Sequence, residues 1–231
     1  MNSPVRAPSS VVVVGASRGI GLEFVRQYRA EGVPVVATHR TAAAATTLRD
    51  LGARPLALDV LDEGAADALA QHLAGEPLGL AILNAGVFGP RSTGLAPPQG
   101  AAFDKVMRTN VLAPMRLIPA LAPSLAAARG TLAVLSSRMG SIGLAQSASG
   151  WLYRASKAAL NSVMKSASCE LGAQGIVCVA LHPGWVRTDM GGAGADLDVG
   201  ESVKALRRLL AAADSSMHGG FFNFDGERLP W

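Results

Sequence analysis

The sequence predicts one open α/β domain, doubly wound around a seven-stranded, mainly parallel sheet flanked by helices, and three observations predict it. Short β-branched runs alternate with longer Ala- and Leu-rich stretches along the whole chain, the pattern of repeated strand-helix-strand units. Val11 to Val14 is apolar without a break, as a sheet covered on both faces requires. A glycine-rich turn, Gly15 to Gly21, joins that run to the first helical pattern.

In chain order the strand candidates are Val11 to Val14, Val33 to Thr38, Arg54 to Leu58, Leu80 to Leu83, Thr131 to Leu135, Ile176 to Leu181 and Phe221 to Phe224. Helical patterns fit between them at Ile20 to Ala30, Ala42 to Leu51, Glu63 to Leu73, Ala101 to Ala127, Tyr153 to Leu171 and Val199 to Ala212. The Gly- and Pro-rich stretch Phe88 to Gly100 reads as a loop over the sheet edge. Residues 185–200, ending in the Gly-rich run Gly191 to Gly200, read as a substrate loop. No repeat or linker divides the chain, so residues 1–231 form a single domain, with 1–9 expected to be a flexible N-terminus.

Composition excludes several classes. With 49% hydrophobic and 16% charged residues, the 231-residue chain can bury a full core and is not disordered. Aromatics are 5%, with only two tyrosines, Tyr28 and Tyr153, so the core is built from Ala, Val and Leu. The net charge of +4 comes from scattered residues, the densest pair being Arg207-Arg208, so no nucleic-acid partner is expected. Cys169 and Cys178 show no metal-ligand spacing and read as small buried hydrophobes in a reduced compartment. The N-terminus has no signal-peptide core. Pro114, Arg116, Pro119 and Pro123 interrupt the best membrane-span candidate, so a cytoplasmic protein without a membrane partner is expected.

The glycine turn carries the first chemistry. Strand, turn and helix arrive in the order of a Rossmann-type phosphate loop, with Gly15, Ser17, Arg18, Gly19, Ile20 and Gly21 as its residues. Gly15 permits the tight turn, Gly19 lets backbone approach a pyrophosphate, and Gly21 allows close helix packing. The spacing is GxxxGxG rather than GxGxxG. After the second strand the sequence reads Thr38-His39-Arg40, with no acidic residue to hold a ribose 2′-hydroxyl. Arg18 and Arg40 can instead face a 2′-phosphate, which predicts NADP(H) over NAD(H).

Tyr153 and Lys157 stand four apart, on one helix face. A nearby ammonium favours the phenolate and fits the tyrosine for proton transfer.

With these motifs in family order, the chain resembles the short-chain dehydrogenase/reductase family over essentially its full length. The resemblance rests on Gly15 to Gly21, Asp59-Val60, Asn84-Ala85-Gly86, Asn110, Ser136-Ser137, Tyr153 with Lys157, and Pro183-Gly184 with Thr188. The run from Leu181 to Gly192 and the ending Asp225 to Trp231 are further similar to the sniffer-type carbonyl reductase and C-factor branch.

The resemblance implies a role for each motif. Tyr153 would donate a proton to a carbonyl oxygen, Ser137 would hold that oxygen, Lys157 would hold the nicotinamide ribose and depress the tyrosine pKa, and Asn110 would help hold a water. By the same resemblance Asp59 and Val60 serve the adenine end, Asn84, Ala85 and Gly86 the ribose side, and Pro183, Gly184, Val186 and Thr188 the nicotinamide. The implied activity is NADPH-dependent reduction of an aldehyde, ketone or quinone, reversible as an alcohol dehydrogenase, on a small-molecule carbonyl or alcohol substrate. The implied assembly is a homodimer or homotetramer through the Ala101 and Tyr153 helices. The alternative is a nucleotide-binding regulator or signalling protein of C-factor type with little turnover.

Ser137 lies 16 residues before Tyr153, more than the usual family spacing, which makes Ser141 a rival. Ser137 is favoured because it directly follows the fifth strand. His182 reads as structural, Tyr28 as a packing residue, and His72 and His218 show no partner in the sequence.

Overall fold

The structure, a computed structural model, describes residues 7–231. Seven strands, β1 (Val11–Val14), β2 (Val35–His39), β3 (Arg54–Ala57), β4 (Leu80–Leu83), β5 (Thr131–Leu135), β6 (Val177–His182) and β7 (Gly220–Asn223), form one sheet in the order β3-β2-β1-β4-β5-β6-β7. Every neighbouring pair of these strands is parallel. The order reverses between β1 and β4, so the strands' carboxyl ends open a crevice there, the place where such sheets bind ligands.

The helices are α1 (Gly19–Ala30), α2 (Ala42–Asp50), α3 (Ala65–His72), α4 (Gly100–Met107), α5 (Ala113–Ala128), α6 (Trp151–Leu171) and α7 (Val199–Ala211). Strand residues alternate between two cores. Val12, Val14, Ala81, Leu83, Leu132 and Val134 meet Leu69 of α3, Leu117, Leu121 and Leu125 of α5, and Leu160 and Met164 of α6. Val11, Val13, Leu80, Ile82, Val179 and Leu181 face the other way, onto Phe24 of α1, Leu48 of α2 and Val203 and Leu206 of α7. Burial on both faces explains why the central strands are apolar throughout. The edge strand β3, whose burial is only partial, accommodates Pro55.

The structure corrects the sequence reading in several places. The helix expected over 101–127 is two α-helices joined by a π-helical turn at Arg108–Leu112. Wider i to i+5 spacing has no signature in hydrophobic periodicity. The run from Gly100 to Ala128 is, among the described residues, one helical stretch long and apolar enough to cross a membrane, because Pro119 and Pro123 sit on its exposed side without ending it. Its other side packs Leu117, Leu121 and Leu125 into the core, which accounts for the apolarity. Cys178 is buried, but Cys169 is exposed on the outer face of α6. His218 does have partners: Nδ1 accepts from the Cys178 amide at 3.2 Å, and Nε2 stands 3.0 Å from the Ser168 carbonyl. Of residues 1–9, residues 1–6 lie outside the described residues, and Ser9 packs against Gly79.

Candidate active site

Three strand ends build the nucleotide side of the crevice. Gly15 follows β1 at φ +87°, and a Cβ there would lie 2.8 Å from the backbone of Ala85. The Gly15 amide donates to Thr38 Oγ1 at 2.8 Å, while Asn84 Nδ2 donates to the Gly15 carbonyl at 2.7 Å. A Cβ on Gly21 would meet that same carbonyl at 2.1 Å, so only glycine lets α1 start this close to the turn. Arg18 precedes α1 in an extended conformation and its side chain makes no cap bond. The first amides of α1 therefore lack a side-chain acceptor, as an anion site at a helix N-terminus requires.

His39, Arg40, Asp59 and Val60 line the same crevice as Ser17, Arg18, Gly19 and Ile20. Arg40 pairs with Asp59 at 3.7 Å, and Arg18 pairs with Asp189 from the loop after β6. Both pairs are well exposed, and such pairs are worth about 0–1 kcal/mol, so an incoming phosphate can displace the carboxylates. His39 Nδ1 is buried without a partner, an unsatisfied polar atom in a residue of the crevice wall. A glycine loop, uncapped helix amides and rim guanidinium groups fit a phosphorylated dinucleotide.

The chemical side lies where α6 crosses β5. Tyr153 and Lys157 are both buried and both line the crevice with Asn84, Ala85, Gly86, Pro183 and Thr188. Lys157 Nζ donates to the Leu135 carbonyl at 2.8 Å and stands 5.7 Å from the centre of the Tyr153 ring. Burial pushes the tyrosine up to about 12, with the Ser137 hydroxyl pulling it partway back, and pushes the lysine down to about 8. Desolvation is the largest influence on the tyrosine, and the Ser137 hydroxyl is the group that lowers it.

Ser137 Oγ accepts from the Met139 amide at 3.1 Å and acts on Tyr153. Ser141, the rival, is turned away: its hydroxyl donates to the Pro230 carbonyl at 2.7 Å and accepts from the Leu144 amide at 3.2 Å. Asn110 sits on the π-helical turn, where Oδ1 accepts from the Val87 amide and Nδ2 donates to the Val87 carbonyl, both at 2.8 Å. Nδ2 also reaches Ser156 Oγ at 2.9 Å. The Asn110 amide thus donates once to the loop after β4, at Val87, and once to α6, at Ser156.

Gly21, Asn110, Ser137, Gly184 and Val186 do not themselves line the crevice. Val186 is buried and pairs with Leu197, bracing the 185–200 loop, whose Trp185 Nε1 donates to the Gly191 carbonyl at 2.9 Å. His182 has its Nδ1 buried without a partner and is pushed down to about 4 by burial, which keeps it neutral. Tyr28 is buried against Phe24 and under the Arg207 guanidinium.

Sequence reasoning passed over Thr38, Phe88 and the Leu135 carbonyl. Phe88 stacks on Tyr153 with ring centres 4.5 Å apart. Thr38, at the end of a strand of β-branched residues, reads as a strand residue, and a backbone carbonyl carries no sequence signal at all.

The short chain dehydrogenase family profile matches residues 9–196. The C-signal protein of Myxococcus xanthus is 37% identical over 165 residues, covering 71% of this chain and 99% of that protein. Among solved structures, the carbonyl reductase Sniffer of D. melanogaster superposes with a TM-score of 0.90 at 30% identity, covering 97% of this chain and all of the other. The NADPH-bound carbonyl reductase from chicken fatty liver gives 0.87 at 33% identity, covering 98% and 100%.

Proposed function

The chain belongs to the short-chain dehydrogenase family, and from that membership we propose that it is an NADPH-dependent carbonyl reductase acting on an aldehyde, ketone or quinone. The observation that carries this reading is the placement of Tyr153 and Lys157, one helical turn apart, in the same crevice as the glycine loop.

Bound there, the cofactor supplies hydride to the carbonyl carbon. The residues of this chain handle the oxygen. The Ser137 hydroxyl donates to it and fixes its position, and the Tyr153 hydroxyl, kept protonated by burial, gives it the proton as negative charge develops. Lys157, held by the Leu135 carbonyl, would bond the ribose through its ammonium and return a proton to the tyrosine. Asn110 acts on the reaction through Val87, as a positioning residue. Gly15, Ser17, Gly19 and the start of α1 would hold the pyrophosphate. Arg18, His39 and Arg40 would hold a 2′-phosphate, and Asn84, Pro183 and Thr188 would hold the ribose and nicotinamide. NADP(H)-bound structural relatives support the choice of cofactor.

A regulator that binds the nucleotide with little turnover is the second reading, favoured by the likeness to C-signal. A carbonyl panel followed by NADPH and NADH consumption, with NADPH binding measured alongside, separates them. The reductase reading expects turnover with NADPH preferred, and expects Thr38→Asp or His39→Asp combined with Arg40→Ala to move preference toward NADH. Tight NADPH binding without turnover on any carbonyl supports the regulator instead.

A further inference from the structure

Arg91, in the loop after β4, has a setting unlike the arginines that line the crevice. Arg18, Arg40 and Arg187 each face a carboxylate, from Asp189, Asp59 and Asp198. Among the described residues, no carboxylate pairs with Arg91. Its guanidinium lies over the Phe88 ring, 5.3 Å from the centre, and Nη2 donates to the Met190 carbonyl at 3.1 Å. Met190 lines the crevice, and Phe88 stacks directly on Tyr153. An exposed cation is thus held at two points, one aromatic ring away from the proton donor, with Nε and Nη1 committed to no protein acceptor among the described residues. A guanidinium fixed in this way recognises a carboxylate well, because little side-chain freedom is lost when the ligand binds.

We propose that Arg91 is a specificity-determining residue that selects carbonyl substrates bearing a carboxylate, with the reacting carbonyl at Tyr153 and the anion at the loop between Phe88 and Met190. The proposal rests on the reductase reading. It also accounts for the contact with Met190: the cation ties the loop after β4 to the 185–200 loop, so an anion there draws both loops onto the substrate.

The test compares 4-carboxybenzaldehyde with its methyl ester, by kcat/KM with NADPH, in the wild type, Arg91→Gln and Arg91→Lys. Glutamine keeps a donor for the Met190 carbonyl without charge, and lysine keeps charge. The wild type is expected to prefer the acid by about tenfold or more, mainly in KM, as a charge-assisted bond warrants. Arg91→Gln brings the ratio of acid to ester to near one, and Arg91→Lys retains most of it. No preference in the wild type, or a preference surviving in Arg91→Gln, overturns the proposal. Titration of 4-carboxybenzoate into the NADPH complex gives a readout independent of turnover. Binding that weakens in Arg91→Gln while no carbonyl is reduced sustains the anion site and refutes the reductase reading, whereas unchanged binding refutes the site.

Discussion

Lys157 costs the fold stability for the sake of its position. Its folded pKa is lowered to about 8 from an ordinary 10.5, so between those values the unfolded chain binds more protons than the native one, and stability rises with pH across that window. Below about pH 8 the full cost of burying the ammonium is present. Lys157→Met should therefore raise stability at pH 7 by about 1–3 kcal/mol, with the gain shrinking toward pH 10, as the Leu135 carbonyl loses a donor in either case. Denaturant melts at the two pH values check this. The same titration predicts that kcat/KM for NADPH falls as pH rises through about 8, and a flat profile to pH 10 would count against an ammonium that holds the ribose. At this scale the sequence is legible where a side chain itself does the work, as at Tyr153 and Lys157. It is silent where backbone does, as at the Leu135 and Gly15 carbonyls.

Two elements bear on roles that spacing left open. The turn after β5 keeps Ser137 beside Tyr153, while the 16-residue interval is taken up by a loop tied through Ser141 and Gly143 to the carbonyls of Pro230 and Trp231. Ser137→Ala should lose about 10²-fold in turnover, with a stability cost of about 1–2 kcal/mol from stranding the Met139 amide. Ser141→Ala should cost about 1–2 kcal/mol, by stranding the Leu144 amide, with turnover largely kept. A larger activity loss at Ser141 would reverse the assignment. The π-helical turn at Arg108–Leu112 is the other case. The sequence supplies Asn110 and an apolar stripe, but a single extra residue per turn is set by the Val87 and Ser156 bonds that only the folded chain makes. Strand and helix ends elsewhere differ from the sequence reading by one or two residues, where hydrogen bonding rather than hydrophobicity decides.

For the whole molecule, the alternation of β-branched runs with Ala/Leu-rich stretches carried the sheet and its covering helices, because burial on both faces leaves an unbroken apolar mark. Assembly leaves a weaker one. Met115, Pro119 and Pro123 of α5 and Val163 and Ala167 of α6 line an open apolar groove on the outside of the domain. We propose that two copies of the chain meet there, a dimer that sedimentation velocity should show and Ala167→Glu should dissociate; a wild-type monomer at tens of micromolar would contradict it. The central claim concerns one hydroxyl. The direct measurement is single-turnover reduction of a carbonyl by the NADPH complex, wild type against Tyr153→Phe, with NADPH affinity measured on both. The predicted result is a rate lowered about 10²- to 10⁴-fold at nearly unchanged affinity. A Tyr153→Phe protein that reduces the carbonyl at close to the wild-type rate would contradict it.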